Sequence, residues 1–269
     1  MTTRILFLAQ LFFTLLVCAF LLLPVILSML AGLTVNYVAG LSSGLTLHWV
    51  YEVWSGYRGT IFLSLALAIF CLIVTLLLGI PLAYVLARSQ GRVARAIEEL
   101  IVMPVAIPGL ATALALIVTY GGLHGFRTSP AFILVGHVLF TLPFMVRSVV
   151  AVLSVVDLPM LEEGAASLGA GFSRRFVDVV LPNCRHGILA GALMVITLSM
   201  GEFNMTWLLH TPLTKTLPVG LADAYASLRL EIGSAYTVIF FVMIMPLLLA
   251  IQMLARPRIR TFNAGAKND

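Results

Sequence analysis

Six long apolar segments constrain what this sequence can fold into more than any other feature. They cover roughly residues 5–32, 60–87, 100–120, 130–152, 187–210 and 234–255. Each is long enough for a membrane-spanning helix, which needs about 20 apolar residues. Of the 269 residues, 61% are hydrophobic and 10% are charged, whereas soluble domains average about 45–50% and 25%. We therefore predict an all-α, polytopic membrane protein with six transmembrane helices, and exclude an ordinary soluble enzyme, a disordered chain and a disulfide scaffold.

The positive charges between these segments are unevenly distributed. With six crossings, one side of the membrane holds Arg4, Arg88, Arg92, Arg95, Arg147, Arg174, Arg175, Arg185, Arg256, Arg258, Arg260 and Lys267. The other side holds Arg58, Arg127, Lys215 and Arg229. Loops rich in Lys and Arg stay in the cytoplasm, so we expect both termini there. The same bias explains the net charge of +5, and we expect no nucleic-acid partner.

The cytoplasmic segment 157–182, DLPMLEEGAASLGAGFSRRFVDVVLP, predicts two short helices joined by a glycine turn. Asp157 is suited to cap the first helix, and Gly169 and Gly171 permit the positive φ that ends it. Ser173 is suited to cap the second helix, which we expect to end before the segment's final proline. Four apolar residues follow helical spacing on one face of the first helix: Leu158, Leu161, Ala165 and Leu168. The segment, called the knuckle below, thus offers an apolar stripe to another protein.

The knuckle resembles the EAA loop of the permease subunits of bacterial ABC importers. That pattern is Glu-Ala-Ala, three residues, Gly, nine residues and Ile-x-Leu-Pro. Every spacing is kept at Glu163, Gly164, Ala165, Gly169, Val179, Leu181 and Pro182. Gly164 replaces an alanine, at a cost of up to about 1 kcal/mol in helix propensity, and Val179 conservatively replaces the isoleucine. The resemblance implies that these residues, together with Leu168, couple the chain to an ATPase.

Shorter motifs extend the resemblance over residues 58–255. They are Gly79-Ile80-Pro81-Leu82-Ala83, Pro104 with Pro108-Gly109, Ser199-Met200-Gly201-Glu202-Phe203 and Thr216-Leu217-Pro218. The resemblance implies a type I ABC importer-like permease with a cytoplasmic coupling-helix loop. Residues 1–57 would form the first transmembrane helix and an external loop, 58–255 the permease core and 256–269 a cytoplasmic tail. The last two motifs resemble the subgroup that carries polyamines, phosphonates, sulfate or ferric iron, in which the 2-aminoethylphosphonate permeases look closest.

The resemblance also implies a location and a set of partners. The chain would be a permease subunit in the bacterial inner membrane, surrounded by lipid, that receives a small polar solute from a periplasmic solute-binding protein. It would pair with a second permease, homologous or identical, and with two ATPase subunits. The chain has no G-x-x-x-x-G-K-[ST] phosphate loop, so we expect ATP to be bound by those ATPase subunits. We expect no cofactor, metal site or enzymatic activity in this chain, and its three cysteines have no metal-ligand spacing.

Glu202 is the one acid placed well inside a predicted span, and a charge at that depth is a candidate functional group. At 1.5 Å per residue, Glu202 and His137 both lie about 10–12 Å from the outer surface, so they can pair. Gly201 permits a bend beside Glu202, and Asn204 completes this candidate group. The residues alone leave two interpretations open: the group lines the translocation path, or it locks helices or subunits together.

Two other functions are weighed against the importer. Residues 40–44, GLSSG, match the G-x-S-x-G motif that would make Ser42 a hydrolase nucleophile. That motif works in a strand–turn–helix elbow, whereas here it lies in a short external loop, so we expect an ordinary loop. An ion-coupled secondary carrier working alone is the main alternative, but such carriers usually have more spans, inverted repeats and several intramembrane ionisable residues.

Two further patterns allow two interpretations each. Gly187 and Gly191 form a G-x-x-x-G pair at the start of the fifth segment, which predicts either close packing against another helix or a flexible entry to the span. Tyr51, Trp54 and Tyr57 precede the second segment. They predict either an interfacial aromatic belt or a contact with the solute-binding protein.

Overall fold

The computed structural model describes residues 2–89 and 91–255 as a helical protein. The helices are α1 (Thr2–Ala31), α2 (His48–Arg88), α3 (Arg92–Ala106), α4 (Gly109–Tyr120), α5 (His124–Arg127), α6 (Pro130–Leu153), α7 (Leu158–Ser167), α8 (Phe172–Arg175), α9 (Leu181–Gly201), α10 (Asn204–Leu209), α11 (Leu217–Ala226) and α12 (Leu230–Ala255). Within the described ranges, the one β-bridge joins Thr34 to Leu45. The predicted all-α class is confirmed, and the predicted tail at 256–269 lies outside the described residues.

Hydropathy located the spans well. Among residues 2–89 and 91–255, five continuous helical segments are long and apolar enough to cross a membrane, namely Arg4–Ala31, His48–Arg88, Pro130–Leu153, Phe172–Gly201 and Leu230–Leu254. A sixth crossing is possible through α3 and α4, which are bent by 101° at their junction. The third predicted span, 100–120, is therefore a broken helix rather than a straight one. The break falls at Ile107 and Pro108, because the residue before a proline disfavours the helical conformation.

The second span also differs from the prediction at its N-terminal end, and the fifth span at its C-terminal end. The helix α2 begins at His48, inside the predicted external loop, and Tyr57 kinks it with non-helical φ and ψ of −125° and 21°. The fifth span, predicted to run from 187 to 210, stops at Gly201 and resumes as α10. Between them Glu202 is extended, with ψ of 117°. The break at Glu202 leaves polar backbone groups at membrane depth, which other groups must satisfy.

Helices α2, α6 and α9 form the centre of the bundle, and the glycine pair of α9 lies where it packs on α6. A Cβ built on Gly187 would lie 2.5 Å from the Ser148 carbonyl oxygen, and one built on Gly191 would lie 2.7 Å from Met145 Sδ. Real Cβ atoms essentially never show distances under 3.0 Å, so a Cβ at either position would force the facing atoms of α6 to move. Close helix packing is therefore the correct interpretation of the G-x-x-x-G pair.

Helix α1 lies apart from this centre. Its apolar side chains are exposed along its length, which suits contact with lipid. Only its C-terminal end meets the bundle closely, where Gly32 approaches the backbone of Ser234 in α12. A Cβ at Gly32 would lie 2.6 Å from the Ser234 carbonyl carbon. The end of α1 is thus fixed against α12, while most of its surface remains free for the membrane.

Candidate coupling site and intramembrane polar cluster

The first half of the knuckle folds as the sequence predicts. The Asp157 carboxylate accepts a hydrogen bond from the Met160 backbone N–H at 3.2 Å and so caps the first turn of α7. The helix ends at Ser167, and Gly169 follows with a φ of +83°. Glycine adopts this left-handed conformation without the steric cost that a Cβ would add. The turn therefore depends on Gly169.

The start of the second half differs from the prediction. Gly171, rather than Ser173, is the residue at the N-terminal cap of α8, and no side-chain hydrogen bond caps that helix. Gly171 also has a negative φ of −68°, so the reversal of the chain uses only one left-handed glycine. Ser173 lies inside the helix and is exposed.

The second helix of the knuckle does not end before Pro182, as predicted, but continues into α9. A π-helical turn, Phe176–Val180, joins α8 to α9. A proline lacks an N–H group and its ring clashes with the carbonyl four residues earlier in a regular helix, and the wider turn relieves that clash. Asn183 donates through Nδ2 to the Val179 carbonyl at 2.7 Å. The knuckle is therefore continuous with the fifth span.

One end of the predicted apolar stripe is buried in the helix bundle, and the other end is exposed. Leu158 is buried in a core formed by residues of α2, α3, α6 and α9, so it anchors the knuckle to the bundle. Leu161 is exposed, and 89% of Leu168 is exposed. Ala165 and Leu168 line a small cavity of about 230 Å³ with Arg174 and Val179. The surface that remains for a partner is therefore the outer end of the stripe.

The other residues that match the EAA pattern are mostly exposed. Glu163, Gly164, Gly169 and Pro182 face solvent in this chain, while Leu181 is half-buried. A Cβ built on Gly164 would meet no atom within 4 Å. No close contact within this chain therefore requires glycine at this position. Its effect within the chain is to lower the helix propensity of α7.

Glu162, which the sequence pattern did not single out, is the buried acid of the knuckle. Only 2% of this residue is exposed, and its Oε1 accepts a hydrogen bond from the Tyr84 hydroxyl at 2.7 Å. Arg88 Nη1 lies 3.2 Å from Glu162 Oε2 and donates to the Tyr84 hydroxyl at 2.9 Å. The sequence carries one signal for this cluster: Tyr84 and Arg88 lie one helical turn apart at the C-terminal end of a span.

The intramembrane candidates His137 and Glu202 are brought together, with 3.8 Å between His137 Nε2 and Glu202 Oε2. His137 is 2% exposed. Its Nδ1 lies 2.8 Å from Ser199 Oγ and its Nε2 lies 2.9 Å from Thr206 Oγ1. The Thr206 hydroxyl donates a hydrogen bond to Glu202. Its oxygen therefore accepts a hydrogen bond from His137 Nε2. A neutral imidazole with its proton on Nε2 satisfies both contacts.

Glu202 fills the break between α9 and α10. Its carboxylate accepts hydrogen bonds from the backbone N–H groups of Met205 and Thr206, each at 2.8 Å, and from the Thr206 hydroxyl at 2.6 Å. Free N–H groups at a helix start need such acceptors, and a negative charge there is favoured by the helix dipole. Gly201 ends α9, and Asn204 begins α10 with an exposed side chain. The carboxylate therefore joins two helices.

The three aromatic residues before the second apolar segment divide into one fixed and two exposed side chains. Arg229 donates through Nη1 to the Tyr57 hydroxyl at 2.9 Å and through Nη2 to Glu52 at 2.7 Å. The hydrogen bond with Tyr57 raises the pKa of the Arg229 guanidinium above its usual value. Tyr51 and Trp54 are 70% and 49% exposed and line an apolar groove between α2 and α12. Tyr57 is thus tied to the protein, and the other two are free for lipid or a partner.

The GLSSG segment has no hydrolase geometry. Gly40–Ser43 forms a short 3-10 helix, and the Ser42 hydroxyl donates to the Ala39 carbonyl at 2.6 Å. Over the residues that the structure describes, no sheet surrounds this serine. A nucleophile elbow needs a strand before the serine and a helix after it, so Ser42 belongs to an ordinary loop.

The fold resembles that of a solved transporter. The crystal structure of a bacterial ABC transporter involved in the import of the acidic polysaccharide alginate contains a chain that superposes with a TM-score of 0.75. The superposition covers 96% of this chain and 97% of that chain at 16% sequence identity. At that identity the similarity establishes a shared fold alone.

Comparison with known sequences identifies the family. Residues 79–261 match the family described as the binding-protein-dependent transport system inner membrane component. The molybdenum transport system permease protein ModB of Mycobacterium tuberculosis is 29% identical over 185 residues, which cover 64% of this chain and 70% of that protein. The spermidine/putrescine transport system permease protein PotB of Escherichia coli is 30% identical over 162 residues, covering 53% and 58%.

These relatives confirm the resemblance that rested on the EAA pattern. They are permease subunits rather than enzymes, so the serine hydrolase and the solitary ion-coupled carrier are set aside. The matched region includes the knuckle, the intramembrane cluster, the third to sixth spans and the end of the second. The chain belongs to the family of binding-protein-dependent transport system inner membrane components and is a multi-pass permease subunit of an ABC importer in the inner membrane.

Proposed function

We propose that this chain is one of two permease subunits that form the translocation path between them, driven by two ATPase subunits that dock on the knuckle. One observation carries the proposal: the EAA-like residues lie mostly exposed on a projection whose base is buried in the core of the membrane helices. A force applied to the projection therefore reaches the spans. The second permease is either a homologous chain or a second copy of this one.

The proposal gives each exposed residue of the knuckle a role. Glu163 offers a carboxylate at the surface, and Leu168 offers the most exposed apolar side chain of the knuckle. Gly164 and Ala165 keep the surface between them shallow, because neither carries a large side chain. Gly169 sets the turn with its positive φ, and Leu181 with Pro182 joins the knuckle to the fifth span.

The intramembrane cluster has a different role in this proposal. Glu202 already accepts three hydrogen bonds from Met205 and Thr206, and His137 holds Ser199 and Thr206. Groups that are occupied in this way are poorly placed to bind a passing solute. We therefore propose that His137 and Glu202, at the break marked by Gly201 and Asn204, lock α6, α9 and α10 together rather than line the path.

The solute is proposed as a small polar molecule delivered by a periplasmic solute-binding protein. The motifs favour 2-aminoethylphosphonate or a polyamine-like solute. The name of PotB supports a polyamine, while that of ModB adds a molybdenum-containing solute to the candidates. Competition among labelled 2-aminoethylphosphonate, spermidine and molybdate for uptake by the assembled importer separates these classes, because the three differ in charge.

The orientation is proposed with both termini in the cytoplasm. The knuckle carries Arg174 and Arg175, and the cytoplasmic ends of the second and third segments carry Arg88 and Arg92. This distribution supports the proposal, since positive loops are retained on the cytoplasmic side. It places the knuckle on the side of the membrane where ATP is available.

The double variant Glu163→Arg with Gly169→Leu tests the docking role. The first change reverses the surface charge, and the second places a Cβ at a φ of +83°, which costs about 1–2 kcal/mol for a non-glycine residue. The ATPase subunits should no longer copurify with the permease. Retained ATPase subunits with hydrolysis still coupled to uptake would show that the knuckle is not the docking site.

A further inference from the structure

Both arms of the knuckle converge on one side chain of the membrane helix α2. On the first arm, the Glu162 carboxylate in α7 accepts a hydrogen bond from the Tyr84 hydroxyl at 2.7 Å. On the second arm, the Phe176 ring packs edge-on against the Tyr84 ring with 5.4 Å between centroids, and the Phe172 ring lies at 6.2 Å. The two arms are separated by the Gly169 turn. Tyr84 is therefore a point where both arms contact the same span.

Arg88 completes this contact one turn further along α2. It donates to the Tyr84 hydroxyl at 2.9 Å and lies 3.2 Å from the carboxylate of Glu162. The Glu162 side chain is 3% exposed and that of Arg88 is 46% exposed, so the acid is buried while its cation reaches the surface. A buried carboxylate that loses its partners is strongly disfavoured. A displacement of α7 that broke these contacts while Glu162 stayed buried would therefore leave an unpaired charge.

We infer that Tyr84, Glu162 and Arg88 form a joint that makes the knuckle and the cytoplasmic end of α2 move as one body. The inference rests on the proposed function, in which an ATPase displaces the knuckle. Leu158 connects α7 to the same core through apolar contacts, which allow sliding. The polar joint restricts this sliding, because its hydrogen bonds form in only one relative position of α7 and α2. Tyr84 and Arg88 are thus positioning residues for the coupling of ATP hydrolysis to transport.

The test uses the complete importer with its second permease, ATPase subunits and binding protein, reconstituted in lipid vesicles. Glu162→Gln removes the charge and Tyr84→Phe removes the hydroxyl, while each variant keeps the shape of its side chain. Glu99→Gln in α3 and Tyr120→Phe in α4 are matched controls at exposed positions. Uptake of labelled 2-aminoethylphosphonate, spermidine or molybdate, whichever the wild type transports, is measured beside ATP hydrolysis and the amount of retained ATPase subunit.

A distance measurement tests the joint without any solute. Spin labels are placed at the exposed Met160 in α7 and the exposed Val85 in α2, after Cys18→Ser removes the exposed native thiol. The distribution of distances within the chain is recorded with and without ATP. In the wild-type background it should be the same in both states, and Glu162→Gln should broaden it.

Both joint variants should retain their ATPase subunits and hydrolyse ATP, while uptake per ATP hydrolysed falls about tenfold, the scale for one hydrogen bond to a charged group. The double variant should lose less than the two single losses added together, because Tyr84 and Glu162 belong to one hydrogen-bonded group. Unchanged uptake per ATP, or an unchanged label distribution in Glu162→Gln, would overturn the joint.

Loss of the ATPase subunits from Glu162→Gln would also overturn it, because Glu162 would then act in docking. A separate result would contradict the proposed function. It is that the double variant Glu163→Arg with Gly169→Leu still couples ATP hydrolysis to uptake. The distances between the spin labels test the joint whether or not the knuckle is the docking site.

Discussion

The Glu202 carboxylate accepts two hydrogen bonds from Thr206, one from its backbone N–H at 2.8 Å and one from its hydroxyl at 2.6 Å. These bonds fasten α10 to the end of α9. In Glu202→Gln the amide has one acceptor oxygen and no charge. We predict that this variant lowers the free energy of unfolding by about 1–3 kcal/mol, as for other lost partners of buried polar groups. Thermal unfolding of the purified permease measures the loss.

The same variant distinguishes a locking role from a role in the path. If Glu202 locks helices, uptake per assembled importer stays near the wild-type value even though less importer is recovered. Normal stability combined with lost uptake would instead place Glu202 in the path. Glu99→Gln, which makes the same chemical change at an exposed site, controls for the general effect of removing an acid.

The glycines of α9 should differ in their tolerance of alanine. At Gly187 the new Cβ would meet the backbone carbonyl of Ser148 at 2.5 Å, whereas at Gly191 it would meet the flexible side chain of Met145 at 2.7 Å. A side chain can move aside more easily than a helix backbone. We predict that Gly187→Ala lowers stability by about 1–3 kcal/mol, the usual cost of overpacking, and that Gly191→Ala costs less.

Yield and thermal stability in detergent provide the measurement for these two variants. Gly59→Ala in α2, where a Cβ would meet no atom within 4 Å, is the control for adding a methyl group. Equal and negligible effects at Gly187 and Gly191 would contradict the close packing of α6 and α9.

Two glycines of the knuckle should respond in opposite ways. Gly164→Ala adds a Cβ that meets no atom and gains up to about 1 kcal/mol of helix propensity, so it should raise the stability of α7 and keep the ATPase bound. Gly169→Ala forces a Cβ into a φ of +83° and should lower stability by about 1–2 kcal/mol. Copurification of ATPase subunits at rising temperature compares the two. A loss of ATPase binding in Gly164→Ala would show that the docking surface needs this glycine.

Much of the fold could be predicted because a membrane span needs a continuous apolar run, and such runs are visible residue by residue. The breaks were harder to place, since the effect of Pro108 and the extended Glu202 depends on which groups satisfy the freed backbone. The Asp157 cap and the Gly169 turn were predictable because both act within a few residues. The features that could be predicted thus depend on the length of apolar runs or on residues close together in the sequence.

The role of Glu162 could not be predicted, because it depends on residues that are distant in the sequence. An acid beside Glu163 in a polar loop is assigned to the surface by any local rule, and its burial depends on Tyr84, which lies 78 residues earlier. The continuation of the helix through Pro182 was missed because it depends on a wider turn and on the Asn183 side chain. Contacts between distant segments decide these features.

Uptake by reconstituted vesicles tests the central claim most directly. The permease and its proposed second subunit are reconstituted with the binding protein, with and without the ATPase subunits, and with ATP inside or absent. The account predicts uptake only when ATPase subunits and ATP are both present, and none with the permease alone under a proton or sodium gradient. Uptake by this chain without an ATPase, driven by such a gradient, would contradict it.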